Sequence, residues 1–249
     1  MTFLYSSELP GEIGIRLLVF VAVFVAMAIW EVAAPRRERT VGRAARWPAN
    51  LGVTVVNSVI IRIVIPVSAV GVALAVERHH FSLLNQVALP YALSVATGVM
   101  LLDLAIYLQH VMFHAIPVLW RVHRMHHADI DLDVTSGARF HPIEIVLSMI
   151  VKLAVVSALG PPAVAVLMFE VLLNATSMFN HGNVRIPDGA DRVLRFLVVT
   201  PDMHRVHHSV AVRETNSNFG FNLPWWDRCF GTYRAQPAAG QLGMTIGID

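Results

Sequence analysis

Cysteine is all but missing from this chain of 249 residues: Cys229 stands alone, which excludes an intramolecular disulfide, a CxxC redox pair and a thiolate metal cluster built within one chain. Any metal bound here must rest on nitrogen and oxygen. Charge is scarce as well, with 14% Asp, Glu, Lys and Arg where soluble domains carry about a quarter. Together with 55% hydrophobic residues and a mean hydropathy of +0.59, this excludes an ordinary soluble fold. Lys152 is the single lysine among 19 basic residues, and 17 acids reduce the net charge to +2, too small a surplus to point to nucleic acid as a partner. There is no glycine-rich dinucleotide fingerprint, no HExxH motif and no cytochrome b5-like segment. Neither NAD nor flavin therefore has a site in this chain. Repeats of solenoid period are absent, and the only biased stretch is the Ala, Gly and Gln-rich run at 235–241.

What is present begins with long apolar runs. Residues 17–34, 51–76 and 89–108 carry at most one charge each (Glu31, Arg62, Asp103) and approach the ~20 residues that span a bilayer. Residues 143–159 and 163–179 are shorter and are separated by Gly160, Pro161 and Pro162, so they read as two arms of a helical hairpin, either spanning or re-entrant. The prediction is an all-α membrane bundle of four to five membrane helices, including the hairpin, with a cytosolic helical, histidine-rich cap. The whole of 1–249 reads as one membrane-embedded domain: 1–108 hold membrane helices one to three, 109–142 a first histidine-rich region, 143–180 the hairpin, and 181–249 a second histidine-rich region with the cap. The first run follows acids, Glu8 and Glu12, and not the positive region of a cleaved signal, so it is expected to stay in the mature protein. The loop after it holds Arg36, Arg37, Arg39, Arg43 and Arg46, whereas the next offers only Arg78. The positive-inside rule places the arginine-rich loop 35–47 in the cytoplasm, the amino terminus outside, and every histidine-rich segment on the cytoplasmic side. An Arg-rich, Lys-poor, Ala- and Val-rich composition points to a GC-rich bacterial genome and hence to the inner membrane.

Twelve histidines are the anomaly, and ten of them lie between His110 and His208. His110 and His114 form HxxxH; His123, His126 and His127 form HxxHH, and His204, His207 and His208 repeat it. Residues three and four apart share a helix face, so three segments each present co-facial imidazoles. Neutral imidazole suits iron, zinc, copper and nickel alike. The pair His79 and His80 reads as an interfacial turn. Two polar stripes accompany the boxes: Asp103, Tyr107, His110 and His114 on the third helix, and Glu170, Asn174, Ser177 and His181 on the last arm. Ionisable groups inside membrane helices usually face a bundle interior. Asp103 and Glu170 are thus expected either to orient ligands from beneath the metal or to pair with Arg62 or Lys152.

Taken in order, DLAIYLQHVMFH (103–114), HRMHH (123–127), TSGARFHPIE (135–144), NHGN (180–183), HRVHH (204–208) and NFGFNLPWWDRCFGTY (218–233) resemble the fatty acid hydroxylase and sterol desaturase superfamily of histidine-rich, integral-membrane diiron enzymes. The resemblance covers roughly half of the chain. It implies two iron ions, with zinc as a substitute, O2 as co-substrate, electrons from a separate ferredoxin, cytochrome or reduced pterin, and hydroxylation or desaturation of a lipid such as a fatty acyl, sterol or carotenoid-like chain. Carried over position by position, the ligands are His110, His114, His123, His126, His127, His181, His204, His207 and His208. Ser177 stands where some members have a tenth histidine, and that position is filled by water held on Asn183 or by His141. Asp103, Tyr107, Glu170 and Asn183 become candidates for the ring of groups around the ligands. His141, beside Pro142, and Glu144 are candidates for the substrate entrance. Trp225 and Trp226 read as an interfacial belt over a packed cap that encloses Cys229. A metal transporter or sensor is the competing reading. It would place its ligands near the bilayer midplane, whereas eight of these nine histidines fall at or beyond helix ends. A zinc hydrolase would need the missing HExxH.

Overall fold

The computed structural model describes residues 9, 11–79 and 82–248, so that Glu8 and His80 lie outside the described residues. Among these there is no strand, only two isolated bridges, Pro35 with Val184 and Ser209 with Ile246. The helices that build the bundle and position the histidines are α1 (Glu12–Ala33), α2 (Arg43–Val64), α3 (Ala69–His79), α4 (Tyr91–Ala115), α5 (Pro117–His127), α6 (Pro142–Leu159), α7 (Ala163–Asn180), α8 (Asp188–Leu194) and α9 (Pro201–His207). Among the described residues five helical stretches are long and apolar enough to cross a membrane, α2 and α3 counting as one. The predicted all-α bundle with its hairpin, α6 and α7, is what forms.

Two boundaries differ from expectation. The single helix predicted over 51–76 is two, because Pro66 has no N–H to continue the ladder and residues 65–68 are not helical. The break does not reverse the chain. Thr54 and Asn57 bond to the carbonyls of Ala138 (3.3 Å) and Phe140 (2.8 Å) just before α6 begins, and Ser82 bonds to Ser157 O (2.5 Å) near its end. The chain from α2 through α3 thus runs the length of α6 as one discontinuous crossing. The third helix extends past Leu108 to Ala115, which puts both His110 and His114 inside α4.

The apolar core lies between α3, α4, α6 and α7, where Val70, Ala73, Leu102, Val156, Val166 and Phe169 are fully or nearly fully buried. Helix α1 buries little: Leu17, Leu18, Val21, Val25, Ile29 and Val32 are exposed. An apolar outer face of this kind fits lipid. Cys229, expected in a packed cap, is exposed instead.

The polar end of the bundle is tied together by charge. Glu31, fully buried at the end of α1, accepts from Val134 N (2.7 Å) and Asn183 N (3.1 Å) and pairs with Arg43 (2.8 Å) and Arg39 (3.3 Å). Arg46 pairs with Asp129 and Asp133 at 2.7 Å each, and Asp131 accepts from the backbone of Thr40 (2.9 Å) and Val41 (2.7 Å). The acids of 129–133 therefore bind the arginine-rich loop to the segment between α5 and α6. Removing one partner of a buried pair strands the other charge. Arg46→Ala is expected to destabilise the protein by about 3–5 kcal/mol, read as a lowered midpoint in thermal or denaturant unfolding, while Arg62→Ala, at an exposed position on the same helix, leaves the midpoint in place.

Candidate metal centre

Local signals set where the histidines stand. Pro117 opens α5 ahead of His123, and a proline at the first helical position loses no needed hydrogen bond. At α9 the Thr200 side chain accepts from Met203 N and Pro201 follows as the first helical residue, a capped start that places His204 and His207 on a short helix. His181 and His208 are the residues that close α7 and α9.

The nine histidines sort into two sets, each with its ligand nitrogens within 4.8 Å of one another: His110, His114, His123, His127 and His207, and then His126, His181, His204 and His208. Each HxxHH box is divided between them. Residues four apart stay together (His123 with His127, His204 with His208), while the residue out of step joins the other set (His126, His207). In the first set His110 and His114 supply a second i, i+4 pair. In the second set the matching pair would be residues 177 and 181, and Ser177 leaves that set one donor short.

Neighbouring Nε2 atoms lie 3.2 Å apart for His110 and His123, 3.0 Å for His126 and His181, 3.1 Å for His181 and His204, and 3.3 Å for His204 and His208. A single ion with Zn–N-like bonds of about 2.0–2.1 Å holds adjacent ligands roughly 3.0–3.4 Å apart. The Nε2 atoms of His114, His127 and His207 are buried without any partner. Burial lowers the pKa of His126, His127, His204, His207 and His208 well below the usual 6.5 and brings His181 down to about 4. Buried, uncharged and converging, these imidazoles fit a pair of transition-metal ions.

In six of the nine the other nitrogen is fixed by an acceptor, while Nδ1 of His127, His204 and His208 is buried without a partner. His110 Nδ1 donates to Phe219 O (2.8 Å), His123 to Glu144 Oε1 (2.7 Å), His126 to Arg139 O (3.0 Å), His181 to Ser177 O (2.7 Å), His207 to Ser217 O (2.8 Å) and His114 to Asn216 Oδ1 (3.2 Å). Donation from Nδ1 leaves the Nε2 lone pair for an ion. The carbonyl at 219 is itself held by the closing motif. Fully buried Asp227 accepts from Phe219 N (2.8 Å), Gly220 N (2.9 Å) and Thr232 Oγ1 (2.7 Å). A Cβ at Gly220 would come within 2.8 Å of that carboxylate, so only glycine allows the approach.

Asp103 is engaged by the closing segment. Its Oδ2 accepts from Trp226 Nε1 (2.8 Å) and Leu223 N (3.3 Å), docking the closing segment on α4. Tyr107 shares a hydrogen bond of 2.8 Å with Thr232 Oγ1 and stacks on Phe230. Glu170 pairs with Lys152 (2.6 Å), the second of the two expectations for it, and with Arg16 (2.5 Å). Asn183 is engaged at both ends with the backbone of Arg37 (3.0 and 2.9 Å), so it anchors a loop. His141 caps α6 by accepting from Ile143 N (3.1 Å) and belongs to neither set. Ser177 instead packs on Gly137, donating to Gly137 O (2.7 Å), and a Cβ at that glycine would lie 2.4 Å from Ser177 O. Sequence reasoning misses Asp227, Arg139 and the acids at 129–133. For the acids, their alternation, DIDLD, facing an arginine-rich loop is the available signal.

Two cavities reach the histidines. One of about 340 Å³ touches His110 and His123 and runs between the membrane helices past Thr54, Asn57, Gln109, Glu144, Phe140 and Phe221 to Lys152 and Glu170. Glu144 thus both lines this cavity and orients a histidine. The second, of about 320 Å³, touches His114 together with Trp120, Arg124, Asn216 and Ile248.

Comparison with known proteins agrees with this geometry. The sequence model described as Fatty acid hydroxylase matches residues 95–232, which contain all nine histidines. Ornithine lipid hydroxylase OlsE of Rhizobium tropici is 30% identical over 158 residues, 63% of this chain and 47% of that protein. Alkylglycerol monooxygenases of Xenopus tropicalis and Homo sapiens are each 26% identical over 152 residues, 59% of this chain and 32% of theirs. The chain thus spans less than half the length of these relatives. No solved structure matches it. With more than half of its residues in the match, and every histidine of the two sets inside it, the chain belongs to the fatty acid hydroxylase family.

Proposed function

We propose that the protein is an O2-dependent diiron oxygenase that hydroxylates a C–H bond of a membrane lipid. One observation carries this reading: two sets of converging imidazoles, all but His114 buried, lie side by side at the head of a cavity walled by membrane helices. The relatives' names, an ornithine lipid hydroxylase and alkylglycerol monooxygenases, support a lipid substrate and hydroxylation over desaturation. The overall balance is RH + O2 + 2 electrons + 2 protons giving ROH + H2O. A bound iron pair supplies the activation of O2 and the removal of hydrogen from an unactivated C–H bond; zinc would fill the same nitrogen sites without that chemistry.

The chain's own part is holding and shielding. Glu144, Phe219 O, Arg139 O, Ser217 O and Ser177 O orient the rings, and such partners typically influence metal affinity 10–100-fold. Phe140, stacked on His126 at 4.4 Å, and Phe221 screen the site from water. Thr54, Asn57, Gln109 and the Lys152–Glu170 pair give the cavity a polar strip along an apolar wall, which favours an amphiphile over bare hydrocarbon. The arginine-rich loop and all the boxes are assigned to the cytoplasmic side of a bacterial inner membrane.

Purified protein is expected to hold two transition metals per chain. His126→Ala and His207→Ala, one from each set, should each lower metal content and abolish activity, and His181→Ala should lose about one ion because its set has no spare donor. His141→Ala should keep both. Elemental analysis decides this, and full retention in His126→Ala and His207→Ala would sink the ligand assignment. For the reaction itself, lipids extracted from cells grown under 18O2 with and without the gene should differ by a species carrying one heavy oxygen. An unchanged oxygen count beside a new double bond would make the enzyme a desaturase. Orientation is read from Cys229, exposed and unique, which should resist a membrane-impermeant maleimide in intact cells and react once the inner membrane is opened.

A further inference from the structure

The proposed reaction consumes two electrons per turnover, and this chain stores none: it has a single cysteine and no nucleotide fingerprint. Electrons must therefore cross the protein surface where the histidines come nearest to it. Of the nine, only His114 is not fully enclosed. It opens on the second cavity, which shares no lining residue with the membrane-side one, so the substrate and an electron donor need not compete for access.

Trp120 lines that second cavity and touches three rings of the five-histidine set: His114 at 4.9 Å, His127 at 5.2 Å and His123 at 6.1 Å between centroids. It is a continuous aromatic contact from the cavity to the site. Among the described residues the exposed charge around the mouth is of one sign. Arg124, one turn beyond Trp120 on α5, lines the cavity; Arg121 is exposed beside Trp120, and Arg213 is exposed beside Val212, another lining residue. Among the described residues no acid lines the cavity, and no ion pair engages the side chains of these three arginines. Val212 and Ile248 at the rim are exposed as well. Unpaired cations around a small apolar rim suit the short-lived, small-area complexes of electron-carrier proteins.

Resting on the oxygenase reading, we propose that the surface formed by Arg121, Arg124 and Arg213 around Trp120 docks a small acidic one-electron carrier protein, and that Trp120 is the positioning residue through which its electrons reach the five-histidine set. Each docking event delivers one electron. The carrier is oxidised by one unit, the metal site is reduced by one, and two events supply a turnover.

The test uses the full chain, metal-loaded, in lipid nanodiscs, with a reduced acidic [2Fe–2S] ferredoxin as the probe. Binding is followed by titration and electron transfer by the ferredoxin's absorbance in stopped flow. The parent should bind with an affinity that falls as salt is raised. Arg121→Glu with Arg124→Glu should weaken association by about tenfold or more, while dithionite still reduces the centre at the parent rate. Arg78→Glu, at the end of α3, serves as the control and should change nothing. Trp120→Leu should bind as the parent does but receive electrons more slowly, and Trp120→Phe should restore much of the rate, with metal content checked in both. The inference is overturned if the double charge reversal binds and accepts electrons like the parent, if the parent shows no salt-sensitive binding, or if the reversal alters only dependence on anionic phospholipid, which would make the patch a membrane contact. Absence of metal from the parent would instead defeat the oxygenase reading, and the binding titration would still report on the surface.

Discussion

Everything at the polar end of this molecule depends on gathering nine imidazoles, all but His114 buried, around two points. A buried polar atom without a partner costs about 1–3 kcal/mol, and several lone pairs aimed at one another cannot satisfy one another. A cation at each focus would satisfy them together. Behind six of the rings, carbonyl, carboxamide and carboxylate oxygens take the Nδ1 protons, so that at His110, His114, His123, His126, His181 and His207 the tautomer is chosen by a neighbour. Asp227 and Gly220 belong to the same constraint at one remove, since they hold the carbonyl that His110 needs.

Helix geometry made the ligands legible. Spacings of three and four place imidazoles on one face, and the eight histidines named from those spacings converge, joined by His181, which only the family resemblance marked as a ligand. Their partition was not legible. Nothing in HxxHH announces that its outer pair serves one focus and its middle residue another, because the second focus comes from the angle at which α5, α7 and α9 meet. The partners of one polar stripe were hidden for a related reason. Asp103 shares a face with His110, but the face continues under the closing segment, and Trp226 reaches that carboxylate first. Pro66 was visible, yet a uniformly apolar run hides where a helix breaks.

The arginine-rich loop has two roles that coexist. As a topological signal its cations count whatever acids lie nearby. In the folded molecule Arg39, Arg43 and Arg46 are committed to Glu31, Asp129 and Asp133, and Arg36 to Asp202. The charges on which the positive-inside reading rests are thus the ones that lock α1 and α2 to the histidine-bearing segments.

The family match begins at residue 95, and α1, α2 and α3 supply no histidine to either set, yet Phe20, Thr54, Asn57, Ser58 and Ile61 from these helices form one wall of the membrane-side cavity. That wall carries none of the constraint that the two histidine sets impose on the rest of the lining. Under the proposed function, changes at these positions would reshape what enters the cavity while both histidine sets stay intact, provided that Glu31 and Arg46 keep their anchors.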